Sequence, residues 1–372
     1  LCLTFLYYGL ERPRLLPLAF VFGALGMYTY QPGRIFFPLL CLAWLIIYAG
    51  PLWRRWRSSL VGIVAGAIIL IPTVLSILDG TFFARLNQLN GPPRSFGDQL
   101  ATFWTNYLAH FQSSFLFDTS TDIILRHYVR GFGMLYGITA PFLVLGVLVM
   151  IVRHRRADLL FLAWFLVYPI AAALVGPPIS TRSITGVIVF CIAIGQGLYT
   201  AGQGLAWLAM RVTAAPTYRR ALVGTAAALA LIIGLGATAQ FMNAYLVDYP
   251  TYSSQWWGWQ SGFKQITARF EQEHTHYAAL LVDSKANAPD ELMRFYEQND
   301  PATCPNCRIT DIMNPALVQQ DYVKSERELW AVPSDDYPIA TAFQALKGRM
   351  VGRLTIPGGA TSWYFIATGP GA

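Results

Sequence analysis

Arg34, Arg126, His127 and Arg182 are the side chains best suited to hold an anion at the edge of an apolar environment. Each stands in a polar segment between long apolar runs: Arg34 after Tyr30-Gln31-Pro32-Gly33, Arg126-His127 before Tyr128, and Arg182 after Pro177-Pro178. A guanidinium carries a fixed fork of N–H groups and can make two parallel hydrogen bonds to one phosphate. With aromatic side chains nearby, such a group suits the phosphate of a lipid whose tail lies between helices. For Arg34 or Arg182 alone, the ordinary explanation is a long side chain near a helix end snorkelling to the headgroups. Two on one side of a membrane, with Arg126-His127 on the loop between them, favour a shared anionic site.

Group transfer to a hydroxyl also needs a base, usually a carboxylate. Asp79, Asp98, Asp118 and Asp122 fall within 79–133, where acids also cap helices or face water. Asp122 precedes Arg126 by four residues, the spacing of an ion pair on a helix. None of the four is assigned as catalytic. Cys304-Pro305-Asn306-Cys307 has the CxxC spacing of a redox pair or half a zinc site. There is no second CxxC, and His274 and His276 stand about 30 residues upstream, a poor zinc spacing. A local disulfide fits best. Cys2, Cys41 and Cys191 lie in apolar runs and read as small hydrophobes. No phosphate-binding loop, dinucleotide glycine pattern or nucleophile elbow occurs.

The elements that must position these groups are apolar. Of 372 residues, 55% are hydrophobic and 13% charged, against roughly 25% charged in soluble chains. Spans of the length that crosses a bilayer are expected at 15–31, 35–52, 59–78, 134–152, 159–176, 184–209 and 220–240, after a partial one at 1–10. That makes about seven complete spans and a truncated one. The absence of an initiator Met or a basic leader predicts a fragment without its N-terminus. Residues 1–240 carry 17 Arg, no Lys and 6 acids; 241–372 carry 10 basic and 14 acidic residues. The basic excess is clustered: Arg12/Arg14, Arg54/Arg55/Arg57, Arg153/Arg155/Arg156 and Arg211/Arg219/Arg220 occupy alternate loops. This is a topology signal and not a nucleic-acid groove. The positive-inside rule puts all four clusters in the cytoplasm. Arg34, the 79–133 loop, the 177–183 loop and the tail then lie outside.

The expected architecture is an all-α polytopic membrane helix bundle over 1–240, followed by a small soluble α/β domain over 241–372. In the tail, Trp259, Phe263, Ile266 and Phe270 predict an amphipathic helix. Strands are expected at 277–283, 353–356 and 363–367, and a helix at 291–298. Tyr249, Tyr252, Trp256 and Trp257 form an aromatic junction of the interfacial kind.

The stretch GALGMYTYQPGR over 23–34 resembles a short turn of bacterial GT-C superfamily glycosyltransferases related to protein O-mannosyltransferases. Phe115 to Phe117, Asp122, Arg126-His127 and Gly133-Met134-Leu135-Tyr136 resemble that family's long external loop. Pro177-Pro178 to Arg182, Trp259-Gln260 and Phe295-Tyr296 are also similar, so the resemblance spans most of the chain. It implies a GT-C-like bundle and transfer of a sugar from a polyprenyl-phosphate carrier to a glycan, lipid or protein acceptor outside the cytoplasmic membrane. Arg34, Asp122, Arg126, His127 and Arg182 match places where the family keeps polar groups facing the lipid phosphate. Thr121 stands before Asp122 where the family usually has Gly. The expected catalytic acid belongs to a first external loop upstream of Leu1. No cofactor is implied with certainty, and a divalent cation is left open. The partners are the lipid-linked donor, the acceptor and the bilayer, with no nucleic acid.

Two other classes compete. A transporter or flippase of a lipid-linked solute would keep ionisable groups or broken helices near the midplane, whereas these spans are nearly free of charge. A non-enzymatic envelope protein would act through the tail.

Overall fold

The computed structural model describes residues 1–82, 95–118, 125–213, 215–254, 259, 261–284, 286, 288–297, 303–311, 322–334 and 348–371. Asp122, Trp256, Trp257 and Gln260 lie outside the described residues. The chain divides into two compact units, Leu1–Ala239 and Gln240–Ala372.

The first unit is helical. Its elements are α1 (Cys2–Glu11), α2 (Leu16–Gly26), α3 (Gly33–Ile47), α4 (Ala49–Trp53), α5 (Trp56–Leu78), α6 (Phe96–Ala109), α7 (Ser113–Phe117), α8 (Ala140–Arg153), α9 (Arg156–Val167), α10 (Ile170–Ala173), α11 (Val187–Val212) and α12 (Pro216–Asn243). Among the described residues, four helical stretches are long and apolar enough to cross a membrane: Trp56–Leu78, Arg156–Ala173, Ile184–Val212 and Pro216–Ser253. Pro13–Gly26, Gly33–Ile47 and Gly137–Arg153 are apolar but shorter. Several expected spans are thus interrupted for local reasons. The 15–31 stretch stops at Gly26, ahead of a Thr29-Tyr30-Gln31-Pro32 turn. The 35–52 stretch breaks at Tyr48. Pro169 lacks the N–H needed to continue α9, and α10 resumes immediately after it.

Ring packing fixes the directions of the central helices. Phe20 lies 4.9 Å from Trp44, and a side chain at Gly26 would meet the Phe37 ring, so α2 and α3 are antiparallel. Phe20 also covers Gly62 and Gly66, while the Tyr28 hydroxyl donates to the Ile69 carbonyl at 2.6 Å. Hence α2 and α5 run parallel. Phe36 meets Trp164 at 5.6 Å, and Tyr48 lies within electrostatic reach of Arg156 and Asp158, so α3 and α9 are antiparallel. These pairings bring the Arg12/Arg14, Arg54–Arg57 and Arg153–Arg156 turns to one end. Tyr28, Arg34, Thr73 and the α9–α10 junction lie at the other. At the arginine-rich end, Asp158 is buried and ion-paired with Arg153.

Helices α8 and α11 cross at glycine. A Cβ on Gly146 would collide with the Ala193 carbonyl, and one on Gly197 with the Phe142 carbonyl. Small residues at such a crossing let two backbones touch, the usual route to tight packing between apolar helices.

The second unit contains a five-stranded sheet in the order β2-β1-β3-β5-β4. The strands are β1 (Ala279–Asp283), β2 (Cys307–Thr310), β3 (Glu328–Pro333), β4 (Arg349–Thr355) and β5 (Thr361–Thr368). β2, β1 and β3 are parallel, and β5 and β4 join antiparallel. β1 and β3 are buried throughout, as expected of central strands covered on both faces. Successive side chains alternate between faces. Leu280 and Val282 pack with Phe263, Ile266 and Phe270 of α14 (Phe263–Glu273), whereas Leu281 packs with Trp330 and Ile366. A further helix, α15 (Pro289–Tyr296), meets the 291–298 expectation over 291–296 and ends there; Gln298 lies outside the described residues. Trp259 departs from expectation: it is exposed and lies outside α14. The helix starts at Phe263 because Gly262 holds φ +103°, a left-handed conformation that ends the pattern upstream.

Candidate functional site

The end opposite the arginine-rich turns is built by α3, α6, α7 and the α9–α10 junction. Arg34 stands in the first turn of α3 and is half-buried. Its Nη1 donates to the Phe82 carbonyl at 3.3 Å, and the guanidinium sits 5.0 Å over the Phe82 ring. Phe82 thus occupies one face of the guanidinium and one of its donors. Arg182 follows α10 on the 177–183 segment. Its main-chain N–H donates to Ile179 at 3.0 Å, while its half-buried guanidinium has no hydrogen-bond or ion-pair partner among the described residues. Arg34 and Arg182 make no hydrogen bond to each other; both belong to the apolar unit and both are half-buried.

Arg126 and His127 form a single 3-10 turn with Leu125 and are half-buried. Their segment continues to Gly133, which lies flat against the Leu116 and Phe117 backbone where a Cβ would not fit. The Leu135 N–H then donates to the Leu116 carbonyl at 2.8 Å. The Arg126-His127 segment is therefore stitched to α7.

One fully enclosed polar group here is His110, which spacing alone does not single out. It is fully buried between α6 and α7. Its Nδ1 lies 2.7 Å from the Asn106 carbonyl. A carbonyl only accepts, so Nδ1 carries the proton and Nε2 carries a lone pair. Nε2 is buried without a partner among the described residues. The ring packs edge-on to Phe115 at 5.4 Å and Tyr168 at 6.1 Å. Burial among these rings pushes the imidazole down to about 4, against the opposing effect of the Asn106 hydrogen bond. His110 is thus a neutral acceptor near pH 7, suited to receive a hydrogen bond from a hydroxyl or water. Three ties fix it to the helix ends: Tyr168 hydroxyl to the His110 carbonyl at 2.8 Å, Asn106 Nδ2 to the Ala173 carbonyl at 3.2 Å, and Tyr107 hydroxyl to the Leu166 carbonyl at 2.8 Å.

Two acids of 79–133 have structural duties. Asp79 Oδ1 accepts from the Thr81 hydroxyl at 2.6 Å and its N–H at 2.9 Å. Asp98 and Ser95 cap α6, with the Asp98 N–H donating to Ser95 Oγ at 3.1 Å. Asp118 is exposed at the end of α7.

In the second unit, Cys304 and Cys307 form a disulfide with Cα atoms 5.4 Å apart. Asn306 between them donates from Nδ2 to the His274 carbonyl at 2.9 Å and the Tyr277 carbonyl at 2.6 Å. The turn is thereby tied to the entrance of β1. An open cleft of about 510 Å³ lies beside it, lined by Met293, Arg294, Glu297, Cys304, Cys307 and Arg308 among others. Desolvation there, with a smaller contribution from Glu271, raises the Glu297 carboxyl. Among the described residues no three His, Cys, Asp or Glu side chains converge as metal ligands.

Comparison with family models, curated proteins and solved structures gives no match.

Proposed function

We propose that the chain is the lipid-phosphate-binding part of a membrane glycosyltransferase with its active face outside the cytoplasm. The observation that carries this reading is the chemistry of one end of the first unit. Arg34 and aromatic rings line it, His110 adds a buried acceptor, and the adjoining 177–183 segment carries Arg182, whose guanidinium has no partner among the described residues. The arginine-rich turns lie at the opposite end. An apolar unit with a cationic, aromatic rim suits a polyprenyl phosphate, whose tail needs the apolar helices and whose headgroup needs guanidinium.

In this reading about seven spans cross the membrane, and the positive-inside rule assigns the arginine-rich turns to the cytoplasm. The second unit is then extracytoplasmic, where its disulfide persists. An acceptor hydroxyl attacks the anomeric carbon, the bond from that carbon to the carrier phosphate oxygen breaks, and the hydroxyl proton passes to a carboxylate base. Arg34 and Arg182 would bind the phosphate and stabilise its charge as it leaves. His110 would orient a hydroxyl instead of removing its proton, because a base this weak is mismatched to neutral pH.

The test uses the protein in membranes, supplied with a radiolabelled polyprenyl-phosphate sugar. Label should move to a peptide, lipid or glycan acceptor, and Arg182→Ala should reduce the transfer. Donor translocation across vesicles without transfer would replace this reading with a flippase.

A further inference from the structure

Helix α6 lies inside a segment that its polar ends mark as an aqueous loop, yet it is strongly two-faced. Phe96, Leu100, Trp104 and Leu108 recur every four residues along one side, and all four are exposed, from 46% to 80%. Phe103 and Tyr107 flank them, with Phe103, Trp104 and Tyr107 rings in mutual contact at 5.4–5.8 Å. The opposite side carries Asp98, Gln99, Thr102, Thr105 and Asn106. A stripe of large apolar side chains this long is costly in water, at about 25 cal/mol per Å² of apolar surface. Its aromatic content is that of residues placed at a membrane–water boundary.

We propose that α6 is an interfacial helix whose Phe96–Leu100–Trp104–Leu108 stripe is buried in the bilayer at the boundary of headgroups and acyl chains. Continuity with the apolar flank of the Arg156–Ala173 span identifies the occupant as lipid. Tyr107 and Asn106 bind the carbonyls of Leu166 and Ala173, so the C-terminal half of α6 is held at the end of that stretch. Leu166 and Leu174 are themselves exposed there, at 56% and 40%. The stripe bears no charge, whereas Asp98 on the other side is free to face water. Such helices sink their apolar face roughly 5–10 Å into the interface. The consequence is that His110, one residue beyond α6, is held at the level of lipid headgroups.

The test reads the environment of each face in the full chain, reconstituted in phosphatidylcholine–phosphatidylglycerol liposomes. Single cysteines at Leu100, Trp104, Leu108, Asp98 and Thr105 are labelled with a fluorescent maleimide after replacing Cys2, Cys41 and Cys191 by Ala. Labels at Leu100, Trp104 and Leu108 should be quenched several-fold more by doxyl-labelled lipid than by aqueous iodide. The preference should reverse at Asp98 and Thr105. In the chain with its native cysteines, Trp104→Phe should remove part of the tryptophan fluorescence that brominated lipid quenches, a readout independent of the labelled variants. Iodide access at all five positions would overturn the proposal. So would protection of the stripe that depends on protein density in the liposome, which would assign the face to a second copy.

Discussion

The Tyr168 hydroxyl donates to the main-chain carbonyl oxygen of His110 at 2.8 Å, joining residues 58 apart in the chain. Both groups are fully buried, so neither has water as an alternative partner. Tyr168→Phe leaves the carbonyl unsatisfied with little change of shape, and the expected loss is about 1–3 kcal/mol. Thermal unfolding in one detergent, wild type against variant, measures it. An unchanged midpoint would mean that this tie contributes nothing.

His110 makes stability depend on pH. Its folded pKa is depressed to about 4 by burial, below the value near 6.5 of an unfolded histidine. As pH falls from 6.5 towards 4, the unfolded chain takes up a proton that the folded chain refuses. Stability from this group is therefore complete above about pH 6.5, falls through that window, and loses up to about 3 kcal/mol. His110→Gln should flatten this part of the profile. A wild-type midpoint that stays constant between pH 7 and pH 4.5 would contradict it.

Arg182 separates snorkelling from phosphate binding. Its guanidinium has no hydrogen-bond or ion-pair partner among the described residues, so Arg182→Ala should change stability by less than about 0.5 kcal/mol. Arg182→Lys keeps the charge and loses the fork. If Arg182 binds the carrier phosphate, both variants weaken retention of a fluorescent polyprenyl phosphate. If it only snorkels, neither variant alters binding.

The α8–α11 crossing tolerates no side chain. Gly146→Ala and Gly197→Ala each drive a methyl into a facing carbonyl, and the helices must separate along their shared seam. Overpacking of this kind costs about 1–3 kcal/mol, and more against backbone. Gly195→Ala on the same helix is the control, because nothing lies within 4 Å of its Cβ position. Size-exclusion profiles of the three variants should show loss of monodisperse protein only for Gly146 and Gly197.

Reducing the Cys304–Cys307 disulfide opens a very short loop. Chain entropy assigns such a closure about 2 kcal/mol, and Asn306 remains to hold the turn through His274 and Tyr277. Dithiothreitol should therefore lower the unfolding midpoint of the second unit without unfolding it at 25 °C. Complete unfolding on reduction would make the disulfide the main support of that edge of the sheet.

The apolar helices and most of the tail's elements are legible from residue pattern, because each follows from a local period. The runs that become α5, α11 and α12 have span length, and 277–283 becomes β1 at Ala279–Asp283. α6 was also readable: Ser95 and Asp98 form a cap, and Phe96, Leu100, Trp104 and Leu108 recur at helical spacing. It is masked by the polar residues on either side of it. His110 is different. Its burial comes from Phe115 and Tyr168 closing on it from distant elements, and no local period encodes that meeting. Trp259 does not share the face of α14 because that helix starts at Phe263, after Gly262 in a left-handed conformation. Asp122, four residues before Arg126, lies outside the described residues.

Helix α12 buries none of its residues, and the longer stretch Pro216–Ser253 has 0% of its apolar window covered by the chain itself. An element that buries none of its own residues draws most of its surroundings from outside the chain. Its partner is whatever amphiphile surrounds it, so detergent or lipid acts here as a ligand of the folded state and shifts its stability by mass action. Any unfolding midpoint measured on this protein is accordingly a property of a protein–amphiphile pair, and comparisons between variants hold only within one amphiphile.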